Sequence, residues 1–219
     1  FSFTTWGESH GKAIGCVIDG VPSNIKLSEK DIQPYLNKRK PGQSKFTTQR
    51  KENDVIEILS GTFEGKTTGH PISLIIYNQD QKSKDYSDIK DKFRPGHADY
   101  TYWAKYGIRD YKGGGRSSAR ETAMRVAAGA VARKVIQKLI KTKVTITGAL
   151  TQVGQHKINY SNWNNAFISK NDFWSPDKKI IPVWENAITK ARKNGSSLGA
   201  IIEIRVKGLP PGLGEPVYE

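Results

Sequence analysis

Two histidines stand where a ring could exchange protons with a ligand. His10 lies in Gly7-Glu8-Ser9-His10-Gly11, a tight connection that flanks the ring with a carboxylate, a hydroxyl and glycines. His97 ends the punctuated turn Arg94-Pro95-Gly96-His97. Imidazole is the side chain whose ordinary charge change falls near neutral pH, and loops carry chemistry more often than apolar faces do. Both rings are candidates for acid–base work, with a purely structural role as the alternative. His70, directly before Pro71 at a strand start, reads as structural, and His156 in a polar loop has no assigned role.

A second group of residues could hold an anion. Gly113-Gly114-Gly115 forms an elbow followed at once by Arg116, Ser117 and Ser118. Glycines tolerate positive φ and let backbone approach a ligand closely. A serine here can cap the next helix, with Glu121 near the position that closes a capping box. The free N–H groups of a helix start suit phosphate or carboxylate. Arg116 and Arg120, four apart, would share a face at that end. The alternative is a glycine-rich loop with an ordinary cap. Further upstream, residues 38–51 carry Lys38, Arg39, Lys40, Lys45, Arg50 and Lys51 among glycine, serine and threonine. Such a loop could grip a polyanionic small molecule or be a solvated charged segment, and composition alone does not separate the two.

The elements that must carry these residues are legible from periodicity. Alternation predicts strands over 1–5, 13–19, 54–60, 71–77, 144–153 and 198–207. Ser28 caps a helix that stops before Pro41, with Asp31 near its third position. A long helix starts at Ala119 and runs to about 141–143, with Ala123, Ala127, Val131, Val135 and Leu139 as its apolar stripe. Another helix runs from about Pro182 to Lys193, closed by Asn194-Gly195. Residues 62–67 read as a turn, 78–93 as a polar excursion, and 159–175 resist assignment. The class is α+β, with antiparallel sheets packed on long helices, in one domain over 1–219.

Composition narrows the partners. The formal net charge is +14, which favours polyanions: nucleic acid, acidic lipid or phosphorylated metabolites. A nucleic-acid-binding protein is the runner-up, but the aromatics do not interleave with the basic loop. The single cysteine, Cys16, sits in an apolar run and reads as a core residue, which fits a reducing, cytoplasmic setting. One cysteine and four dispersed histidines give no expectation of a metal site. No run approaches the ~20 apolar residues of a membrane span. The chain starts at Phe1 in mid-strand and stops in a glycine-proline loop, so it reads as incomplete at both ends.

Taken together, GESHG at 7–11, PGQSKFTT at 41–48, RPGHADYT at 94–101, GGGRSSARETAMRVAAGA at 113–130 and GLGEPV at 212–217 resemble the chorismate synthase family, in colinear order over the whole chain. The resemblance implies a β-α-β sandwich with antiparallel sheets around long core helices, usually as a homotetramer. It implies conversion of 5-enolpyruvylshikimate 3-phosphate to chorismate and phosphate by a formal anti-1,4-elimination, with reduced FMN (FMNH2) required although the reaction is redox-neutral, and NADPH as a source of reductant. By the same resemblance His10 acts as acid at the departing phosphate, and His97 protonates or hydrogen-bonds the flavin. Arg39, Lys45 and Arg120 hold the substrate's anionic groups, while Arg116, Ser117 and Ser118 bind the flavin. The family carries arginine at many of the positions held here by Lys40 and Lys45. It also continues well beyond residue 219, with further flavin contacts and an aspartate that assists proton removal. Neither nucleic acid nor membrane is an expected partner, and an inactive flavin-binding relative is the alternative within the family.

Overall fold

Residues 13–19 alternate between core and solvent, and this alternation sets the first sheet. The computed structural model describes residues 1–40, 46, 53–79 and 90–214. After β1 (Ser2–Gly7), strand β2 (Ala13–Asp19) buries Ile14, Cys16 and Ile18 on one face and turns Val17 outward. Helix α1 (Glu29–Arg39) follows, then β3 (Glu57–Ile58), a small hairpin of β4 (Thr62–Phe63) and β5 (Lys66–Thr67), and β6 (Ile72–Tyr77). The antiparallel order is β1-β2-β6-β3, with Cys16 opposite Thr5 on one side and Leu74 on the other. Burial pushes the Cys16 thiol up to about 12, with the charge of Glu121 adding to it, so this sulfur is a core group rather than a nucleophile.

The buried face of that sheet receives α1 and, beyond the short α2 (Asp99–Tyr106), the long α3 (Thr122–Leu139). Small residues let α3 sit close: Ala123, Ala127, Ala128 and Ala130 are buried with Met124, Val131 and Val135. Two charges tie the helices together. The Asp31 carboxylate accepts from the backbone N–H of Ser28 at 2.9 Å, as the sequence led one to expect of this cap, and also from Lys134 of α3 at 2.8 Å.

Several boundaries differ from the periodicity. The strand expected over 54–60 shrinks to β3, because Asp54 takes φ +48 and a left-handed residue cannot enter a ladder. The helix expected from Ala119 opens instead as two 3-10 turns, Gly115–Ser117 and Ala119–Glu121. Leu139, placed on the apolar stripe, is 63% exposed at the helix end. Helix α2 was not foreseen, since the glycine and proline before it drew attention to the turn alone.

The chain forms two compact units, 1–42 with 48–139, and 43–47 with 140–219, where the sequence was read as one domain. In the second, β7 (Thr145–Val153) pairs with β8 (His156–Lys157) and, across a bulge at 150–152, with β9 (Ala200–Lys207). Helix α4 (Asn165–Ile168) lies in the stretch that resisted assignment, and α5 (Ile181–Lys193) matches its expected span. Trp184 is fully buried beside Val153, Ile158 and Phe173, and its indole N–H donates to His156 O at 2.8 Å. No helix among the described residues is long and apolar enough to cross a membrane.

The close seat of α3 gives a first prediction. Ala127 is fully buried against the sheet. Ala127→Leu should overpack it and cost about 1–3 kcal/mol, read from urea denaturation midpoints. A variant as stable as the native chain would mean that α3 has room to spare.

Candidate active site

The first unit brings both candidate imidazoles to one short piece of backbone. Gly113, Gly114 and Gly115 all hold positive φ, and the space where their side chains would stand is filled by other residues. A Cβ on Gly113 would fall 2.0 Å from Cε1 of His10, and one on Gly114 would fall 2.6 Å from Cε1 of His97. Two rings that lie far apart in sequence thus rest on consecutive glycines, and neither site admits an L side chain without moving a ring.

The ring nitrogens are set by their neighbours. The Ser9 hydroxyl, on a residue 1% exposed, lies 3.0 Å from His10 Nδ1 and donates to Gly113 O at 3.4 Å. A hydroxyl that gives its proton to a carbonyl can accept from Nδ1–H, so Ser9 can hold the His10 ring through that nitrogen. At His97, Nδ1 lies 3.0 Å from Asp99 Oδ1 and 3.2 Å from Nη2 of Arg94. Arg94 can only donate, to Nδ1 and to Asp99 Oδ1 at 2.8 Å, so Nδ1 is engaged by both neighbours and Nε2 is turned to the elbow at Gly114.

Asp99 is the hub of this half. Its carboxylate is almost fully buried, accepts from the backbone N–H and guanidinium of Arg94, and lies at ion-pair distance from Nδ1 of His97 at 3.0 Å and Nη1 of Arg109 at 3.1 Å. The hydrogen-bonded Arg94 guanidinium holds the Asp99 carboxyl well below the usual carboxylate range, and the charge of Arg109 acts in the same sense. Arg109 also donates to the carbonyls of Lys90 and Lys92, which ties residues 90–93 down beside the turn.

The other half is organised by Asp54. Its buried carboxylate takes Arg39 at 3.0 Å on one oxygen and Arg120 at 2.8 Å on the other. Arg120 is only 4% exposed and spends its Nε on Asn78 Oδ1 at 2.6 Å. Arg116 turns the opposite way. It donates to Gly7 O at 3.0 Å and to Thr5 Oγ1 at 2.6 Å, and pairs with Glu121 at 3.3 Å.

Set beside the sequence reading, His10, His97 and Ser117 do converge at the elbow, with Ser117 Oγ donating to Gly114 O at 2.7 Å. Arg116 and Arg120 do not share a face. Ser118 between them is extended (ψ 142), so the helical spacing that would align them is interrupted, and each joins a different partner set. Ser118 caps the second 3-10 turn at Arg120 N, but Glu121 closes no capping box there and instead bonds Thr5, Arg116 and Arg125. Arg39 keeps 19% of its side chain exposed, whereas buried Arg120 serves as a strut more than as a surface cation. Lys45 lies outside the described residues. Two cavities of about 350 and 470 Å³ open in the second unit and hold none of the expected site residues. Sequence reasoning missed Asp54, Asn78 and Asp99. Only Asp99, two residues after His97, left a signal that could have been followed.

The site gathers two imidazoles on a glycine elbow among carboxylate-paired arginines, groups able to exchange protons beside an anionic ligand. The chorismate synthase family profile matches residues 1–219, and the chain belongs to that family. It is 65% identical to chorismate synthase of Pelagibacter ubique over 218 residues, 100% of this chain and 61% of that protein. It is 61% identical to the same enzyme of Gluconacetobacter diazotrophicus and 57% to that of Rhodospirillum rubrum, covering 60% of each. A crystal structure of chorismate synthase superposes with a TM-score of 0.75 at 30% identity, over 99% of this chain and 60% of that one. The chain thus spans about 60% of the length of the relatives it matches.

The ion-paired hub at His97 carries a pH prediction. The folded Asp99 carboxyl titrates below its unfolded range, so its stabilisation is present above about pH 4 and lost as pH falls toward the folded value. Asp99→Asn should therefore destabilise most at neutral pH, with the gap in denaturation midpoint narrowing steadily as pH falls below about 4. A gap that stays constant across that range would show that the Asp99 charge contributes nothing.

Proposed function

We propose that this protein is a chorismate synthase, a phosphate-eliminating carbon–oxygen lyase that forms chorismate from 5-enolpyruvylshikimate 3-phosphate in the shikimate pathway. The observation that carries the reading is the seating of His10 and His97 on consecutive glycines, because elimination of a phosphate needs a proton at the leaving group and a separate donor at the cofactor. Family membership and the shared names of the relatives support it. The nucleic-acid reading has less to rest on, since the arginines of this unit are directed inward at Asp54, Asp99 and Glu121.

In this reading His10 delivers the Nε2 proton to the phosphate oxygen as its bond to the ring carbon breaks. Ser9 holds the ring through Nδ1, and the Arg116 bond to Gly7 O fixes the start of the same connection. Arg39, partly exposed beside Asp54, meets the substrate's anionic groups, with Lys45 as a further cation. The donor set also fits a reduced flavin: half-buried Ser117 and Ser118 hydroxyls follow the elbow, and the Asp99-held His97 offers its Nε2 at Gly114. FMN, when bound in reduced form, would supply an electron-rich ring to a reaction that is redox-neutral overall. Ser117, Ser118 and His97 would hold it, while Arg116 supports the site from behind. A phosphate, two carboxylates and an anionic flavin together require a cationic surround, which the net charge of +14 favours. We extend the proposal to a cytoplasmic homotetramer that draws on NADPH to reduce its flavin.

Purified protein, as the complete chain its gene encodes, should form chorismate anaerobically only with dithionite-reduced FMN. His10→Ala and His97→Ala should each lower kcat by about 10²–10⁴-fold, and His70→Ala and His156→Ala should leave it near native. Equal turnover without flavin, or equal damage from His70→Ala, sinks the assignment. Arg39→Ala should act chiefly on substrate KM, by roughly ten- to hundredfold for a lost charge-assisted bond, with flavin affinity kept. Loss of flavin affinity instead would reverse the division of the site.

A further inference from the structure

Asn78 follows the last residue of β6 and is bonded to three residues of the connection that carries His10, Glu8, Gly11 and Lys12. Its Nδ2 donates to Glu8 O at 3.0 Å and to Gly11 O at 2.7 Å. Its backbone N–H donates to Lys12 O at 3.1 Å. The amide orientation is fixed by chemistry: Arg120 Nε can only donate, so the atom it meets at 2.6 Å must be Oδ1, and the NH2 group then faces two carbonyls that only accept. The Glu8–Gly11 turn closes on itself through a single backbone bond, Gly11 N to Glu8 O at 3.1 Å. One side-chain amide therefore grips both ends of the turn whose third residue is His10.

The grip has a rigid support. Arg120 is buried at the start of the α3 region and is held by Asp54, whose other oxygen holds Arg39. A guanidinium with its Nε on Asn78 and its Nη1 on a buried carboxylate has little freedom to swing. Asp54 itself sits at φ +48, a conformation that an aspartate keeps only where its surroundings over-determine it. The bonds run without a gap from Arg39 through Asp54, Arg120 and Asn78 to the carbonyls on either side of His10.

We propose that Asn78 is the positioning residue for His10, and that Arg120 and Asp54 act through it, so that the cation offered to the substrate and the imidazole offered to the leaving group are held on one hydrogen-bonded chain. This rests on the function proposed above for His10. The donor half of the amide is what places the ring, and the acceptor half is what anchors the amide to Arg120. Displacement of a catalytic group by about an ångström costs on the order of 10²-fold in rate, while substrate contacts made elsewhere remain.

Two variants separate the halves. Asn78→Ala removes both, and the isosteric Asn78→Asp keeps the bond from Arg120 but loses both donors to Glu8 O and Gly11 O. Each should lower kcat by about 10–100-fold with KM within a few-fold, and neither should lower kcat further in a His10→Ala background, because the ring they place is already gone. In protein labelled with 15N-histidine, the His10 ring signals should move in both variants while those of His70 and His156 stay. A kcat near native in Asn78→Asp, full additivity with His10→Ala, or unmoved His10 signals in a folded variant would each overturn the proposal. The ring signals need no turnover. A protein that makes no chorismate would therefore undo the functional reading and leave this one to stand or fall on the spectrum.

Discussion

Nothing larger than hydrogen fits at Gly113 and Gly114, and the arrangement of the first unit follows from that steric fact. A methyl at either position would occupy an imidazole's place. The elbow must be bare for two rings to lie on it, and it must hold positive φ so that adjacent residues present their open sides to different partners. The constraint then propagates outward. The turn at 94–97 has to deliver one ring, the connection between β1 and β2 has to deliver the other, and α3 has to hold the elbow still at its own entrance.

Electrostatics supplies the holding. A buried arginine or aspartate alone would be costly, and removing one member of a buried pair typically costs about 3–5 kcal/mol. Here Asp54 and Asp99 each pair with more than one cation, and of these Arg109 reaches onward to two backbone carbonyls and Arg120 to an amide. The two carboxylates do not repeat each other. Asp99 lies at ion-pair distance from His97 itself, whereas Asp54 reaches the His10 connection through Arg120 and Asn78. One ring is oriented by a charge, the other by a neutral amide and a hydroxyl. Such a difference suits two rings with different proton partners.

What the sequence made legible follows from range. The sheet strands β2 and β6, the apolar face of α3 and the cap at Ser28 depend on local alternation, helical spacing and a four-residue signature, and these were readable. His10 and His97 were each singled out as well, because both stood in glycine-bearing connections beside polar groups. Asp54, Asn78 and Asp99 were not found, because their roles come from partners brought together by the sheet order and not from spacing along the chain. Asp54 even reads as the start of a strand, and its left-handed backbone is imposed by the arginines it meets. The same effect separates Arg116 from Arg120. Helical periodicity put them on one face, but a single extended residue at Ser118 sends one to β1 and the other to β6.

That separation explains why α3 begins with 3-10 turns rather than a clean helical start. A regular α-helix from Ser118 would point Arg116 and Arg120 in nearly the same direction and leave either the Gly7 carbonyl or Asn78 without its donor. By spending residues 115–121 on two short turns, the chain places one guanidinium on each side of the His10 connection: Arg116 on the Gly7 carbonyl before it, Arg120 on the amide that grips Glu8 and Gly11. The helix that follows is then free to be what its composition favours, a run of small residues seated on Cys16, Leu74 and their neighbours. The core fixes the helix, the irregular start of the helix fixes two arginines, and the arginines fix the loop that carries His10.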